Sequence, residues 1–183
     1  MKHVLTIFVA ALLAAAAGLG FVAPMIPLEE AQAASGYVTT CSGGSIYLND
    51  YEKTTVNLHN QARANNGLRA LCVHEKLTNA ARSHSKEMID KDYFSHSSYN
   101  GESFSARIKR FGYYPYRTIG ENIAWGSGSR GAPNTIFNNW MNSSGHRSNI
   151  LNSNFKHIGV GTAYGQYKSY SGVTMYTVDF GAQ

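Results

Sequence analysis

The chain has few of the residues that build covalent or metal-bound frameworks. Among 183 residues there are two cysteines, Cys41 and Cys72, and four prolines. Two cysteines alone cannot form a structural zinc site, and no further soft ligands stand near them at short spacing. In an oxidising compartment the two thiols would instead pair. We therefore predict a Cys41–Cys72 disulfide.

Runs of a single charge are also missing. The chain carries 16 basic and 11 acidic residues, a net charge of +5. Without Lys2, Glu29 and Glu30, which fall in the N-terminal segment discussed next, 15 basic and 9 acidic residues remain, a net charge of +6. The basic residues are not bunched, so we expect no nucleic-acid partner. The mild charge favours solubility or attraction to an anionic envelope surface.

The N-terminal segment is typical of an export signal. Lys2 and His3 precede an apolar run from Val4 to Val22, and Ala31-Gln32-Ala33 supplies a small-x-small cleavage site. The run is long enough for a retained membrane anchor, but its Ala and Gly content and the cleavage site favour removal. We predict a signal peptide over 1–33, a leader over 34–49 and one domain over 50–183. The mature protein would be secreted or envelope-associated, monomeric and without a membrane span.

The pattern of apolar residues indicates helices first and paired strands last. Asp50 is a candidate cap for a first helix that ends near Asn66, before Gly67. Further helices are predicted over Glu75 to about Lys91, around Phe104 to Phe111, and from Pro133 to Gly145, followed by strands over His157–Ala163 and Val173–Phe180. This order predicts an α+β fold, not alternating βαβ units.

Three chemically capable residues stand at the ends of predicted elements. His96 lies in FSHSS, Glu121 in GENIAW and His146 in SSGHRSNIL. Each alone is typical of a surface or capping residue. Together, two neutral imidazoles and a carboxylate would suit a first-row metal such as zinc, with open positions for water.

Other polar residues have more ordinary interpretations. Glu102 follows His96 by six residues and is a possible additional acid for the same cleft, or it stabilises the start of the Phe104 helix. His59 and His84 fall on apolar helix faces, which favours core histidines over ligands. Arg63 is interpreted as an anchor for a carboxylate or carbonyl group.

Several stretches together resemble the CAP superfamily, also called SCP or PR-1-like proteins. The matching pieces span about Asp50 to Gln183 and occur in the family's order: HNQARANNGLRAL (59–71), FSHSS (94–98), GENIAWG (120–126), WMNSSGHRSNIL (140–151), IGVGTA (158–163) and YTVDFG (176–181). The series is more specific than any one piece. Its GHRxNIL version is similar to the short bacterial secreted branch.

The resemblance implies a three-layer α-β-α sandwich, with a central antiparallel sheet between helices and a cleft on one side. The family's cleft holds two His and two Glu. These carry over to His96, Glu121 and His146, whereas Ser143 stands where the second Glu is expected, three residues after Trp140. The resemblance therefore implies three of the four cleft positions, with Glu102 as a possible substitute acid.

The resemblance also implies a secreted protein whose cleft binds a small ligand. Several family members bind sterols or other lipids, and some bind zinc or another divalent cation through the two His, here His96 and His146. One alternative is a metal-dependent hydrolase with Glu121 as general base to a bound water. Another is a non-catalytic interaction module. No cofactor is expected to be required for folding.

Overall fold

The computed structural model describes residues 35–183, and the predicted signal peptide lies outside them. These residues form five α-helices: α1 Asp50–Asn65, α2 Glu75–Asp90, α3 Phe104–Arg110, α4 Pro133–Asn142 and α5 Ser144–Ile150. Six strands accompany them: β1 Gly36–Thr39, β2 Ser45–Leu48, β3 Cys72–Val73, β4 Thr118–Ser127, β5 His157–Tyr167 and β6 Tyr170–Ala182. A short 3-10 helix covers Gly128–Gly131.

The main sheet separates two helical layers. Its strand order is β3-β5-β6-β4, with antiparallel pairing except between β3 and β5. On one face, Val178 and Phe180 of β6 pack in a core with residues of α1, α4 and α5. On the other, Met175 packs with Met88 of α2. The predicted α+β class and three-layer sandwich are confirmed.

The first helix begins with a cap one residue earlier than predicted. Asn49, not Asp50, accepts a hydrogen bond from the Glu52 amide at 2.9 Å, while the Glu52 carboxylate accepts one from the Asn49 amide at 3.1 Å. This reciprocal pair satisfies two amides that otherwise have no helical partner. At the other end, Gly67 has a φ of +68°. It occupies the left-handed region, as expected of a residue that ends a helix.

The segment predicted as a leader is part of the packed structure. Strands β1 and β2 form an antiparallel hairpin, and Leu48 at its end is fully buried in the larger core. Cys41, in the turn of this hairpin, forms the predicted disulfide with Cys72 of β3. These two strands were not predicted, because each has only four residues and the segment is rich in Ser, Gly and Thr. The covalent link joins the hairpin to the main sheet.

None of the helices among residues 35–183 is both long enough and apolar enough to cross a lipid bilayer.

Close approach between α2 and β5 depends on two glycines. A Cβ on Gly159 would lie 2.2 Å from the backbone of Leu77, and one on Gly161 would lie 2.1 Å from the backbone of Arg82. Backbone atoms of a packed helix cannot move aside cheaply. The IGVGTA stretch is therefore the surface on which α2 packs. The chain continues from the end of α2 into the loop that carries His96.

We expect Gly161→Ala to lower the free energy of unfolding by about 3 kcal/mol, because the new methyl group must displace α2. Gly145→Ala is the matched control, since nothing lies within 4 Å of a Cβ at that position. Urea denaturation of both variants measures the difference. Equal stability of the two variants would contradict the close packing of α2 on β5.

Candidate functional site

The site forms at β4, the edge strand of the main sheet. Successive side chains of a strand point to opposite faces. Glu121 therefore contacts Arg107 of α3 on one side, while Asn122 contacts α5 on the other. Both residues are buried. The GENIAW stretch thus joins the two helical layers at the edge of the sheet.

The Glu121 carboxylate forms hydrogen bonds with the side chains of His96 and Arg107. The His96 ring lies with Nδ1 2.7 Å from Oε1, and the Arg107 guanidinium donates to Oε2. Burial alone would raise the pKa of Glu121, but the hydrogen bond from His96 and the charge of Arg107 outweigh it, and the pKa is lowered. Glu121 is therefore an ionised, fully engaged carboxylate.

The loop that carries His96 is fixed from beneath by two buried side chains. Arg107 donates to the His96 carbonyl at 3.2 Å and to the Ser98 hydroxyl at 3.0 Å. His84 of α2 donates from Nε2 to the Ser95 carbonyl at 2.8 Å. Burial lowers the pKa of His84, which keeps it neutral. The prediction of a hydrogen-bonded core histidine is confirmed, and its partner is the loop of the candidate site.

His146 lies in the first turn of α5 and is supported by polar neighbours. Its Nδ1 shares a 2.8 Å hydrogen bond with the Ser143 hydroxyl, at the position where the resemblance led us to expect Glu. Asn122 donates to the His146 carbonyl at 3.1 Å, and Asn149 donates to the Asn122 side-chain oxygen at 2.8 Å. These amides fix α5 against β4. The orientation of His146 therefore does not depend on a second carboxylate.

His96 and His146 are both tied to adjacent residues of β4, His96 to Glu121 and His146 to Asn122. Burial lowers the pKa of His146, and the charge that His96 can carry lowers it further. The His96 side chain is 54% exposed. Nδ1 is engaged in both rings, and no hydrogen bond within residues 35–183 uses either Nε2. The site therefore offers two open imidazole nitrogens.

A second buried carboxyl group completes the interior of the site. Asp179 lies directly opposite Glu121 in the β4–β6 ladder and is fully buried. No donor among the described residues reaches either of its oxygens. Burial and the neighbouring Glu121 charge raise the pKa of Asp179 well above its usual range. Asp179 is therefore a buried, neutral acid beside the ionised Glu121.

Glu102 lies in a separate ion pair. Its oxygens accept hydrogen bonds from Arg110 Nε and Nη2, both at 2.9 Å. This pairing lowers the pKa of Glu102. The only described link toward the site runs through Ser98, whose hydroxyl lies 3.5 Å from a Glu102 oxygen. The arrangement favours the structural interpretation of Glu102 over that of a substitute acid.

His59 and Arg63 have the structural roles that the sequence suggested. His59 is fully buried, and its Nδ1 donates to the Thr55 carbonyl at 2.7 Å. Burial lowers its pKa to about 4. Arg63 donates to the carbonyl groups of Ile150 and Asn152 at 2.8 and 2.9 Å. Arg63 thereby secures the end of α5 from the interior.

Three site residues were missed in the sequence. Arg107 occupies a short, basic helix in which nothing distinguishes it from its neighbours. Ser143 was noted only as a missing Glu. Asp179 did carry a signal, because strand alternation places it on the same face as Val173 and Met175, both of which are apolar and buried.

Residues 56–180 match the CAP, or cysteine-rich secretory protein, family. This chain belongs to the CAP family. The matched range contains every residue of the site described above.

Two Bacillus subtilis relatives share the CAP region. The uncharacterized protein YkwD is 42% identical over 133 residues, which cover 73% of this chain and 50% of YkwD. The membrane protein YlbC is 36% identical over 110 residues, covering 60% of this chain and 31% of YlbC. The chain therefore spans half or less of the length of these curated relatives.

Solved structures agree with the CAP architecture. An extracellular protein with an SCP domain from Bacillus anthracis is 30% identical, with a TM-score of 0.61 and coverage of 73% of this chain and 40% of that one. An outer surface protein from Borrelia burgdorferi has the same TM-score at 18% identity, covering 81% and 98%. The second likeness concerns the fold alone.

We expect Asp179→Asn to gain stability relative to the wild type as the pH rises. The raised pKa of Asp179 means that its stabilising contribution is complete below the unfolded pKa, about 4, and is lost as the pH increases toward the folded value. The wild type should lose about 1.4 kcal/mol per pH unit relative to the variant over this range.

Unfolding of both proteins between about pH 4 and pH 8 measures this difference. Asp90→Asn, at an exposed position paired with Lys86, is the control. A pH-independent loss of stability in Asp179→Asn would mean that Asp179 is ionised.

Proposed function

We propose that this CAP protein is a secreted, non-catalytic binding protein whose cleft takes a divalent cation weakly through His96 and His146. The observation that carries the proposal is the open Nε2 of both rings, with each Nδ1 held from behind. A hydrogen bond to the second ring nitrogen fixes the orientation of a metal-binding imidazole. Glu121 and Ser143 would serve as these outer partners.

The donor chemistry fits a cation, but the donor count is small. Neutral imidazole is a good ligand for zinc, and the lowered pKa of His146 favours that neutral form. Yet no group of three or more His, Cys, Asp and Glu side chains in residues 35–183 is placed to hold a metal. A bound cation would therefore be exchangeable, with open positions for an oxygen atom of a further ligand.

The geometry favours binding over hydrolysis. A general base needs a free lone pair directed at the water it activates. Both Glu121 oxygens are engaged, by His96 and by Arg107, and the carboxylate is buried with a lowered pKa. These contacts suit a group that orients His96. They do not suit a base for a water bound between the two imidazoles.

No specific contact among the described residues supports either of the two remaining alternatives, lipid binding and a protein-interaction role. Sterol or lipid binding stays a prediction from the family resemblance, as does a purely protein-interacting role. Secretion is supported by the signal-like N terminus and by the extracellular protein with an SCP domain to which the chain is 30% identical. The proposed setting is therefore outside the cell or at its envelope.

We expect calorimetric titration with zinc ions at about pH 7.5, where an imidazole is mostly neutral, to show one weak site. His146→Ala should abolish the heat of binding. Ser143→Ala should weaken binding about tenfold, because the His146 ring loses its outer partner.

Ser144→Ala, which alters the adjacent hydroxyl, is the control and should bind as the wild type does. Circular dichroism of each variant checks that the fold is kept. Equal heats for the wild type and His146→Ala would overturn the proposal.

A further inference from the structure

A cavity lined by neither His96 nor His146 lies between β2, the start of α1, α2 and β5. Its volume is about 520 Å³, within the range of small-ligand sites. It adjoins a cavity of about 330 Å³, and the two share Asn49, Thr162, Ala163 and Tyr164. Together they form a groove with two compartments, which we call the tyrosine groove.

Exposed aromatic rings border the tyrosine groove. Tyr164 is 77% exposed and lines both compartments, and Tyr47 is 47% exposed and lines the larger one. Tyr47 is steadied by an edge-to-face contact with Tyr37, at 5.6 Å between ring centroids. No hydrogen bond within residues 35–183 uses the hydroxyl of Tyr47 or Tyr164. The rings therefore offer flat apolar faces beside free hydroxyl groups.

The floor of the groove is rigid and polar. Arg82 donates to both oxygens of the buried Glu52, at 2.8 and 2.6 Å. Glu52 also accepts from the Thr162 amide at 3.3 Å, and Asn49 donates to the Thr162 hydroxyl at 2.9 Å. These bonds leave little freedom to reorganise on binding. Such preorganisation lowers the entropic cost of holding a ligand.

The charges of the larger compartment cancel in pairs. Arg82 is neutralised by Glu52, and Lys86 by Asp90. A charged ligand would gain no net attraction and would have to compete with these pairs. A fully apolar ligand would bury charged groups without replacing their water. The groove therefore suits a neutral molecule that has both hydroxyl groups and flat apolar faces.

The geometry points to a neutral oligosaccharide as the ligand of the tyrosine groove. A pyranose ring presents C–H groups on its faces and hydroxyl groups around its rim. The faces would stack on Tyr47 and Tyr164, while the hydroxyls reach Thr162 and Arg82. Two compartments on either side of Tyr164 would accept adjacent sugar units. This site does not depend on the proposed function of His96 and His146.

The test is an NMR titration of the protein with two neutral probes, the trimers of β-1,4-linked glucose and of β-1,4-linked N-acetylglucosamine. We expect saturable shifts of the Tyr47, Thr162 and Tyr164 amide signals with at least one probe. Tyr164→Ala should weaken binding at least tenfold. Tyr114→Ala, which removes another exposed ring outside the groove, should not.

Two control measurements and two competing ligands complete the test. His96→Ala should leave saccharide binding unchanged, which separates this site from the imidazole site. The unfolding temperature of Tyr164→Ala should match that of the wild type, because the ring is mostly exposed. Absence of shifts with both probes, equal weakening by Tyr114→Ala, or tighter binding of dodecanoate or a sulfated disaccharide at the same residues would overturn the inference.

Discussion

Glu121 carries its charge in the interior of the protein, and the guanidinium of Arg107 offsets the cost of placing it there. Both side chains are 1% exposed. A carboxylate removed from water without a partner would be strongly destabilising. The positions of the His96 ring, the His96 loop and α3 all follow from this pair, because Arg107 contacts Glu121, the His96 carbonyl and Ser98 together.

The same strand organises the other side of the site through an amide. Asn122 follows Glu121 and points to the opposite face, where it binds the His146 carbonyl and accepts from Asn149. Because side chains alternate between the two faces of a strand, these two adjacent residues contact two separate helical layers. His96 and His146 are 50 positions apart in the sequence, yet each is fixed to the same short stretch of β4. β4 is the edge strand of the described sheet, with no further strand beside it.

The sequence indicated those features that rest on local patterns. Apolar spacing gave the positions of α1, α2 and α4, and the placement of His84 on an apolar face identified a core histidine. Contacts between distant segments were beyond such patterns: Arg107 and Ser143 have ordinary local surroundings, and their roles depend on Glu121 and His146. The β1–β2 hairpin was missed because its strands are short and polar, and its stability comes from Leu48 and the disulfide. The sequence alone could not distinguish Asn49 from Asp50 as the helix cap, because either side chain can accept the capping hydrogen bond.

The proposed cation site depends on Glu121 as the hydrogen-bond acceptor that determines which nitrogen of His96 carries the hydrogen. The most direct measurement is the nitrogen-15 spectrum of the His96 ring at about pH 8, where an ordinary imidazole is neutral. A hydrogen on Nδ1 and an unprotonated Nε2 are predicted, because Nδ1 faces the Glu121 carboxylate at 2.7 Å. A ring protonated on Nε2 with a bare Nδ1 would contradict the account, since Glu121 could not then hold His96 or direct its open nitrogen toward a ligand.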